Sequence, residues 1–240
     1  MVDLIPVKNL FKYHKLLRQD LPEGRRYVYG DQKLPSVTTI LSATKDTTKL
    51  DEWVARVGQE EADRIKNDAA TVGTYLHSVI ERMVLMRDLP RPTNWQMVRG
   101  YEMGYRIVNA YFQNISEVWG SEIALYYPDK YAGTTDLIGV YRGQPAIIDF
   151  KQSNKPKRKE WIQDYFQQLA AYAMAHDMVY GTDINFGVVL MAVRDGSTME
   201  FTTTGQEFKQ HKEAWMRRVE KFHEEALKKK SDTNRIESLT

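Results

Sequence analysis

The 240-residue chain contains no cysteine. Disulfides, thiol nucleophiles, cysteine-ligated zinc and iron–sulfur clusters are excluded together. No apolar run approaches the roughly 20 residues that a membrane span needs. The first residues, MVDLIPVKNLFKYHKLL, carry neither the apolar core of a signal peptide nor the Ser/Arg-rich character of a transit peptide. The expectation is a cytoplasmic protein with no membrane partner. There is also little excess charge of one sign. Lys and Arg number 34 and Asp and Glu 32, a formal net charge of +2, so any nucleic-acid footprint must be local. What the chain does have is 42% hydrophobic residues and a length that buries a sizeable core, in one large domain or two small ones.

Hydrophobic period divides the chain. RRYVYG (25–30) reads as a short strand, and PSVTTILSATK (35–45) as a short helix with Ser36 at its N-cap. Residues 48–88 carry helical patterning for two helices, closed by LPRPT (89–93), whose prolines cannot continue a helix. Residues 94–114 are helical again. The period then changes to two, predicting strands at 121–128, 131–141 and 145–151, with RGQP turning between the last two. A helix over 159–180, a strand over 184–194, a DG turn into STMEFTTT and an amphipathic helix over 205–230 complete the order. The tail after Leu227 is expected to fray.

The strand AIIDFKQ (146–152) raises a chemical question. Side chains at i and i+2 share one face of a strand, so Asp149 and Lys151 project together from an otherwise apolar segment. A lone D-x-K is weak evidence, and a buried ion pair would explain it. Asp136 in the preceding strand changes the balance, because the hairpin brings the two carboxylates together. Two such carboxylates repel, and one would stay protonated. A divalent cation removes the conflict, and hard oxygen ligands suit Mg²⁺ or Mn²⁺. Gln168 and Tyr172 lie one helical turn apart in QQLAAY, as do Gly73 and His77 in GTYLH. Each alone reads as structural.

The order G-x-x-x-H (Gly73, His77), an acid (Glu122), G-x-x-D (Gly133, Asp136), D-x-K (Asp149, Lys151) and Q-x-x-x-Y (Gln168, Tyr172) resembles the RecB-like branch of the PD-(D/E)xK nucleases. PSVTTIL, GTYLHSVIE, GTTDLIGVYRGQPAIIDFKQSNKPK and QLAAY are together similar to the mitochondrial genome maintenance exonuclease group and its phage-encoded relatives. The motifs span residues 73–172, with Asp149 where Glu is commoner, and residues 1–35 fall outside the resemblance. It implies an α/β fold, an α+β mixed sheet in a restriction-endonuclease-like core of helix, three strands, helix and strand. A single domain would hold an N-terminal region over 1–93 carrying His77, the core over 94–204, and a C-terminal helix and tail over 205–240.

The chemistry of these residues, supported by the resemblance, gives expected roles. Asp136, Asp149 and the Phe150 backbone carbonyl would bind Mg²⁺ or Mn²⁺, with His77 as a further ligand. Glu122 would reach the metal directly or through water. Lys151 would position or deprotonate the attacking water, or stabilise the developing charge. Gln168 would orient Lys151 or meet a phosphate, with Tyr172 behind it. The basic run Lys155, Lys157, Arg158, Lys159 suits DNA phosphates, or forms a solvated loop. Trp95, Tyr101, Tyr105, Trp161 and Tyr165 could stack bases, with core positions favoured for most. The expected activity is a metal-dependent exonuclease, a monomer acting on linear single-stranded DNA in replication, recombination or degradation. The alternatives are a non-catalytic DNA-binding accessory protein and a double-strand endonuclease.

Overall fold

The structure is a computed structural model, and it describes residues 5–237; for 229, 230 and 232–237 it describes the backbone course. The described chain begins with a segment that bridges in parallel to the edge of the central sheet, where Lys8 N–H donates to the Val118 carbonyl and Val118 N–H to the Pro6 carbonyl. It then forms an antiparallel meander of β1 (Leu17–Leu21), β2 (Gly24–Tyr29) and β3 (Gln32–Pro35). The sequence predicts only the middle strand. The outer two are short and mostly polar, so they lack the apolar alternation that marks a strand.

α1 (Val37–Ala43) follows at once, and the Ser36 hydroxyl accepts from Thr39 N–H as expected of an N-cap. Such a cap contributes about 1 kcal/mol. At the other end Arg218 donates to the Leu41 carbonyl at 2.6 Å and to Asp164 at 2.6 Å, tying α1 to the helices beneath it. The predicted helix pair is α2 (Thr48–Val57) and α3 (Gln59–Val84), broken at Gly58, whose φ of +87° suits glycine. α4 (Trp95–Tyr111) starts on an Asn94 cap and packs closely along α3. A Cβ at Gly100 would lie 2.5 Å from the Tyr75 Cβ. Only glycine there lets the two backbones approach so closely, and that approach sets the depth at which α3 holds its side chains.

The central sheet contains β4 (Ile115–Tyr127), β5 (Tyr131–Tyr141), β6 (Gln144–Ser153), β7 (Phe186–Val193) and β8 (Thr198–Thr204), in that spatial order. β6 and β7 are parallel and the other neighbours antiparallel. Arg142 and Gly143 both have positive φ at the β5–β6 turn, the geometry that tight hairpins favour. α5 (Gln163–Tyr180), after a 3-10 turn at Lys159–Trp161, is the crossover between the parallel pair. α6 (Gly205–Glu237) closes the fold. It continues through the tail expected to fray, since Ala226 to Lys230 are good helix formers. Residues 238–240 lie outside the described residues.

Alternation along β6 shows the layering. Ile147 belongs to the core cluster with α1, α5 and α6, whereas Ile148 and Phe150 belong to the cluster with α3 and α4. Helices thus cover both faces of a mixed sheet, and the expected fold class holds.

Candidate active site

The register of the sheet builds the site. β5 and β6 pair Leu137 with Ile148, so one step further Asp136 faces Asp149. β4 and β5 pair Ser121 with Leu137 and Ile123 with Thr135, so Glu122 faces Asp136 from the other side. Three carboxylates therefore stand in a row across three adjacent strands. Glu122 has a φ of +52°, a left-handed conformation that costs a non-glycine residue about 1–2 kcal/mol. Beyond this row β6 leaves β5 and continues along β7. The Phe150 N–H, freed from strand pairing, donates to Asp136 Oδ2 at 2.8 Å. N–H and C=O of one strand residue point to the same edge, so the Phe150 carbonyl lies on the Asp136 side too.

α3 lowers His77 onto this row. Its Nδ1 lies 3.3 Å from Asp136 Oδ2 and 3.9 Å from Glu122 Oε1. Ligand atoms of His77, Glu122 and Asp136 all come within 4.8 Å of one another, close enough to share one ion. Asp149 stands slightly apart from that trio. It is fully buried, and Lys151 Nζ lies 2.5 Å from its Oδ2, yet neither carboxylate oxygen has a well-formed hydrogen bond. The ion pair expected between i and i+2 is present, and among the described residues Lys151 is the one partner for a carboxylate with two buried oxygens. A cation fits these groups. Carboxylate oxygens with one imidazole nitrogen suit Mg²⁺ or Mn²⁺, the nitrogen favouring Mn²⁺.

The protonation balance points the same way. Burial and the Asp136 charge push the Glu122 carboxyl up to about 7. Burial pushes Asp149 up to about 6, Lys151 opposing and Asp136 adding to the rise. Burial would raise Asp136 as well, but His77, Lys151 and the Phe150 N–H hold it below the usual range. His77 and Lys151 are both raised, because the carboxylates outweigh the burial that disfavours their charge. The shifts of Asp149 and Lys151 differ in what they imply for one pair. We take the pair as charged at neutral pH, with Asp149 the weaker partner because burial and the Asp136 charge both disfavour its ionised form. A charged Lys151 suits electrostatic stabilisation better than proton abstraction.

On the α5 side, Gln168 Nε2 donates to the Tyr172 hydroxyl at 3.4 Å, and both line the cleft with Lys151. Gly133 makes room for that ring, since a Cβ there would lie 2.9 Å from Tyr172 Cε1. Gly73 has another function: a Cβ on it would meet nothing within 4 Å, so it keeps the cleft wall open. The cavity holds about 640 Å³.

The basic run stays outside it. Lys155 and Arg158 are exposed, Arg158 lies over Trp161, and Lys159 is tied to Glu207 at 2.7 Å. None of Lys155, Lys157, Arg158 and Lys159 lines the cleft. The aromatic residues also differ from the core positions favoured for them. Trp95, Tyr105 and Trp161 are exposed. Only Tyr165 packs as expected, with Lys151 Nζ 5.1 Å from its ring centre. The sequence reading missed Arg18, Arg25 and Tyr27 from the N-terminal meander and Glu81 one turn beyond His77, all of which line the cleft. Nothing local marks the first three. The i+4 spacing of Glu81 from His77 is a signal that was there to read.

Comparison with known proteins agrees with the motif order. Mitochondrial genome maintenance exonuclease 1 of Xenopus tropicalis is 30% identical over 194 residues, 75% of this chain and 54% of that protein. The human protein of the same name is 27% identical over 206 residues, 80% of this chain and 58% of its own length. The chain is a homologue of these exonucleases. That similarity is consistent with the PD-(D/E)xK motif order read from the sequence, and the chain spans little more than half the length of the curated relatives it matches. No family model matches. Among solved structures, a putative exonuclease from Eubacterium rectale overlaps with a TM-score of 0.43 at 12% identity, covering 63% of this chain and 66% of the other. An alkaline exonuclease from Laribacter hongkongensis gives 0.31 at 15% identity, with 69% and 91% covered. Among the described residues no helix is long and apolar enough to cross a membrane.

Proposed function

We propose that this nuclease is a divalent-metal-dependent deoxyribonuclease that digests linear single-stranded DNA from a free end. The observation that carries the reading is the row Glu122–Asp136–Asp149 across β4, β5 and β6, with His77 above it and Lys151 beside it in one cleft. Asp136, Glu122 and His77 would hold Mg²⁺ or Mn²⁺, with Asp149 and the Phe150 carbonyl completing the donor set. When bound, the metal supplies an activated water and charge stabilisation at phosphorus. Lys151, kept charged by its two carboxylates, faces negative charge building on the phosphate. Gln168, braced by Tyr172, orients the phosphate against Lys151. Lys155, Lys157 and Arg158, exposed or partly exposed beyond the strand end, would hold flanking phosphates; Lys159 contributes less because it is paired with Glu207.

The preference for one strand rests on the roof. α3 on one side and Arg18, Arg25 and Tyr27 of the meander on the other leave a cavity of about 640 Å³. A duplex, whose grooves alone are about 12 and 6 Å wide, needs a more open site, whereas an unpaired strand threads by its end. The same reading makes the protein a single nuclease domain acting as a cytoplasmic monomer in DNA replication, recombination or degradation. The experiment is incubation with Mg²⁺ or Mn²⁺ on linear single-stranded, linear duplex and circular single-stranded DNA. Rapid loss of the first, slow loss of the second and survival of the third are expected. Efficient cutting of circles would replace the exonuclease by an endonuclease with an open cleft. Binding without cleavage of any substrate would make it a DNA-binding accessory protein.

A further inference from the structure

α3 turns two opposite faces toward two different cavities. At 3.6 residues per turn, Ala70, Gly73, Thr74 and His77 fall on one side and face the cleft. Arg64, Asp68, Ala69 and Val72 fall on the other and line a separate groove of about 340 Å³. That groove is completed by Trp95 and Arg99 of α4, and by Gln152, Asn154 and Arg194 from the ends of β6 and β7. It begins where the active strand ends. Lys151 points into the cleft, whereas Gln152 points away and donates to the Ala69 carbonyl at 3.3 Å.

The chemistry of the groove is unusual for a helix surface. Trp95 is 50% exposed although it sits between two helices and a sheet edge. The Arg99 guanidinium lies 5.3 Å from its ring centre. Among the described residues neither Arg99 nor Arg194 makes an ion pair, while Arg64 is already held by Glu61 and Asp68. A half-exposed ring with the Arg99 guanidinium on one side of it, the Arg194 guanidinium without an ion pair, and the amides of Gln152 and Asn154 in the same groove match an unpaired nucleotide. The base stacks on the ring, and the arginines take the phosphates.

We propose that this groove is a second subsite for single-stranded DNA, one helix diameter from the metal cleft, with a base on Trp95 and phosphates on Arg99 and Arg194. The proposal rests on the nuclease reading above and adds to it a place where the strand is gripped away from the chemistry. The groove holds no cleavage groups, so it governs binding and leaves the bond-breaking step alone.

The test uses fluorescently labelled oligothymidylates with the full chain in Ca²⁺, read by anisotropy. One oligomer is about 20 nucleotides long and spans both sites; one of about 4 nucleotides, the low end of a single-strand site size, fills the cleft alone. Trp95→Ala should weaken the long oligomer roughly 5- to 150-fold, the range for losing one stacked base, and leave the short one unchanged. Trp95→Phe should restore most of the loss. With Mg²⁺, KM for the long substrate should rise while kcat holds. Equal binding of the long oligomer by wild type and Trp95→Ala overturns the subsite while leaving the nuclease reading intact. Equal weakening of both lengths also overturns it, as that marks a general disturbance. A wild-type protein that neither binds nor cuts DNA would instead remove the nuclease reading itself.

Discussion

Gly133→Ala tests how the G-x-x-D motif works. Gly133 lies in β5, and its motif role follows from packing: a Cβ there would stand 2.9 Å from Tyr172 Cε1, 3.2 Å from Val37 Cγ2 and 3.3 Å from the Tyr172 hydroxyl. Carbon atoms rest about 3.5–4.0 Å apart, so the ring must retreat by more than half an ångström. Tyr172 projects from α5 and is buried, so its ring can retreat only toward the cleft it lines. Overpacking of this kind costs about 1–3 kcal/mol. Replacing glycine in a strand returns about 0.5–1 kcal/mol of backbone entropy. The net expectation is a loss of about 1 kcal/mol, a fall in Tm of about 2–4 °C for a chain of this size. Turnover should fall further than stability, at least tenfold, because the displaced ring carries the hydroxyl that Gln168 engages beside Lys151. Thermal denaturation and single-turnover cleavage are measured for Gly133→Ala alone and in the Tyr172→Leu background, where a smaller side chain leaves room. The two changes should be strongly non-additive. If Gly133→Ala costs the same in both backgrounds, the ring is not what the glycine accommodates.

Lys151→Ala should lower turnover by about a hundredfold or more, the scale of losing a placed electrostatic or proton-transfer group, with DNA affinity in Ca²⁺ little changed; near-normal cleavage would make Asp149 and Lys151 a structural ion pair. Asp149→Asn keeps the shape and removes the charge, so cleavage should be lost and Mn²⁺ affinity by calorimetry should fall; unchanged affinity would remove Asp149 from the metal site. Glu122 at about 7 and Asp149 at about 6 are raised above their unfolded values. At these two positions the folded protein therefore holds more protons than the unfolded chain, so without metal the stability they contribute is lost as pH rises from about 4.5 to 7. Metal displaces those protons, so Mn²⁺ affinity should climb from pH 6 to pH 8, up to about tenfold per unit for each proton released; a flat profile would refute the assignment.

Much of this was legible in the sequence where a local pattern carries the information. The change of period after residue 114, the Ser36 cap, the break before the prolines and the parallel crossover are all local or nearly so, although β4 begins at Ile115 rather than at the expected residue 121. The candidate residues were legible because chemistry limits the options. An acid and a lysine on one face of an apolar strand need partners, and Asp136, His77, Gln168 and Tyr172 lie at spacings that could supply them. What escaped depends on distant contacts. The meander strands Leu17–Leu21 and Gln32–Pro35 have no apolar alternation, and only their approach to the cleft gives Arg18 and Arg25 meaning. The basic run reads as a phosphate patch in one dimension, but Lys159 turns toward Glu207 on a helix nearly 50 residues away. Trp95 and Trp161 carry core-like spacing, and no sequence rule reveals that both stay exposed with only an arginine over each ring.

The parallel pairing of β6 with β7 has a consequence for biosynthesis. All the candidate metal and catalytic residues lie at or before Tyr172, whereas the strand that holds Asp149, Phe150 and Lys151 in place begins at Phe186. A chain released at Gly181 would contain every reactive group and have no site, because the far half of β6 would lack its neighbour. During translation at about 5–20 residues per second, His77 would wait on the order of ten seconds for β7 to follow it. Under the proposed function the chain would therefore be inert as a nascent or truncated polypeptide, and its site would be complete only once β7 docks on β6.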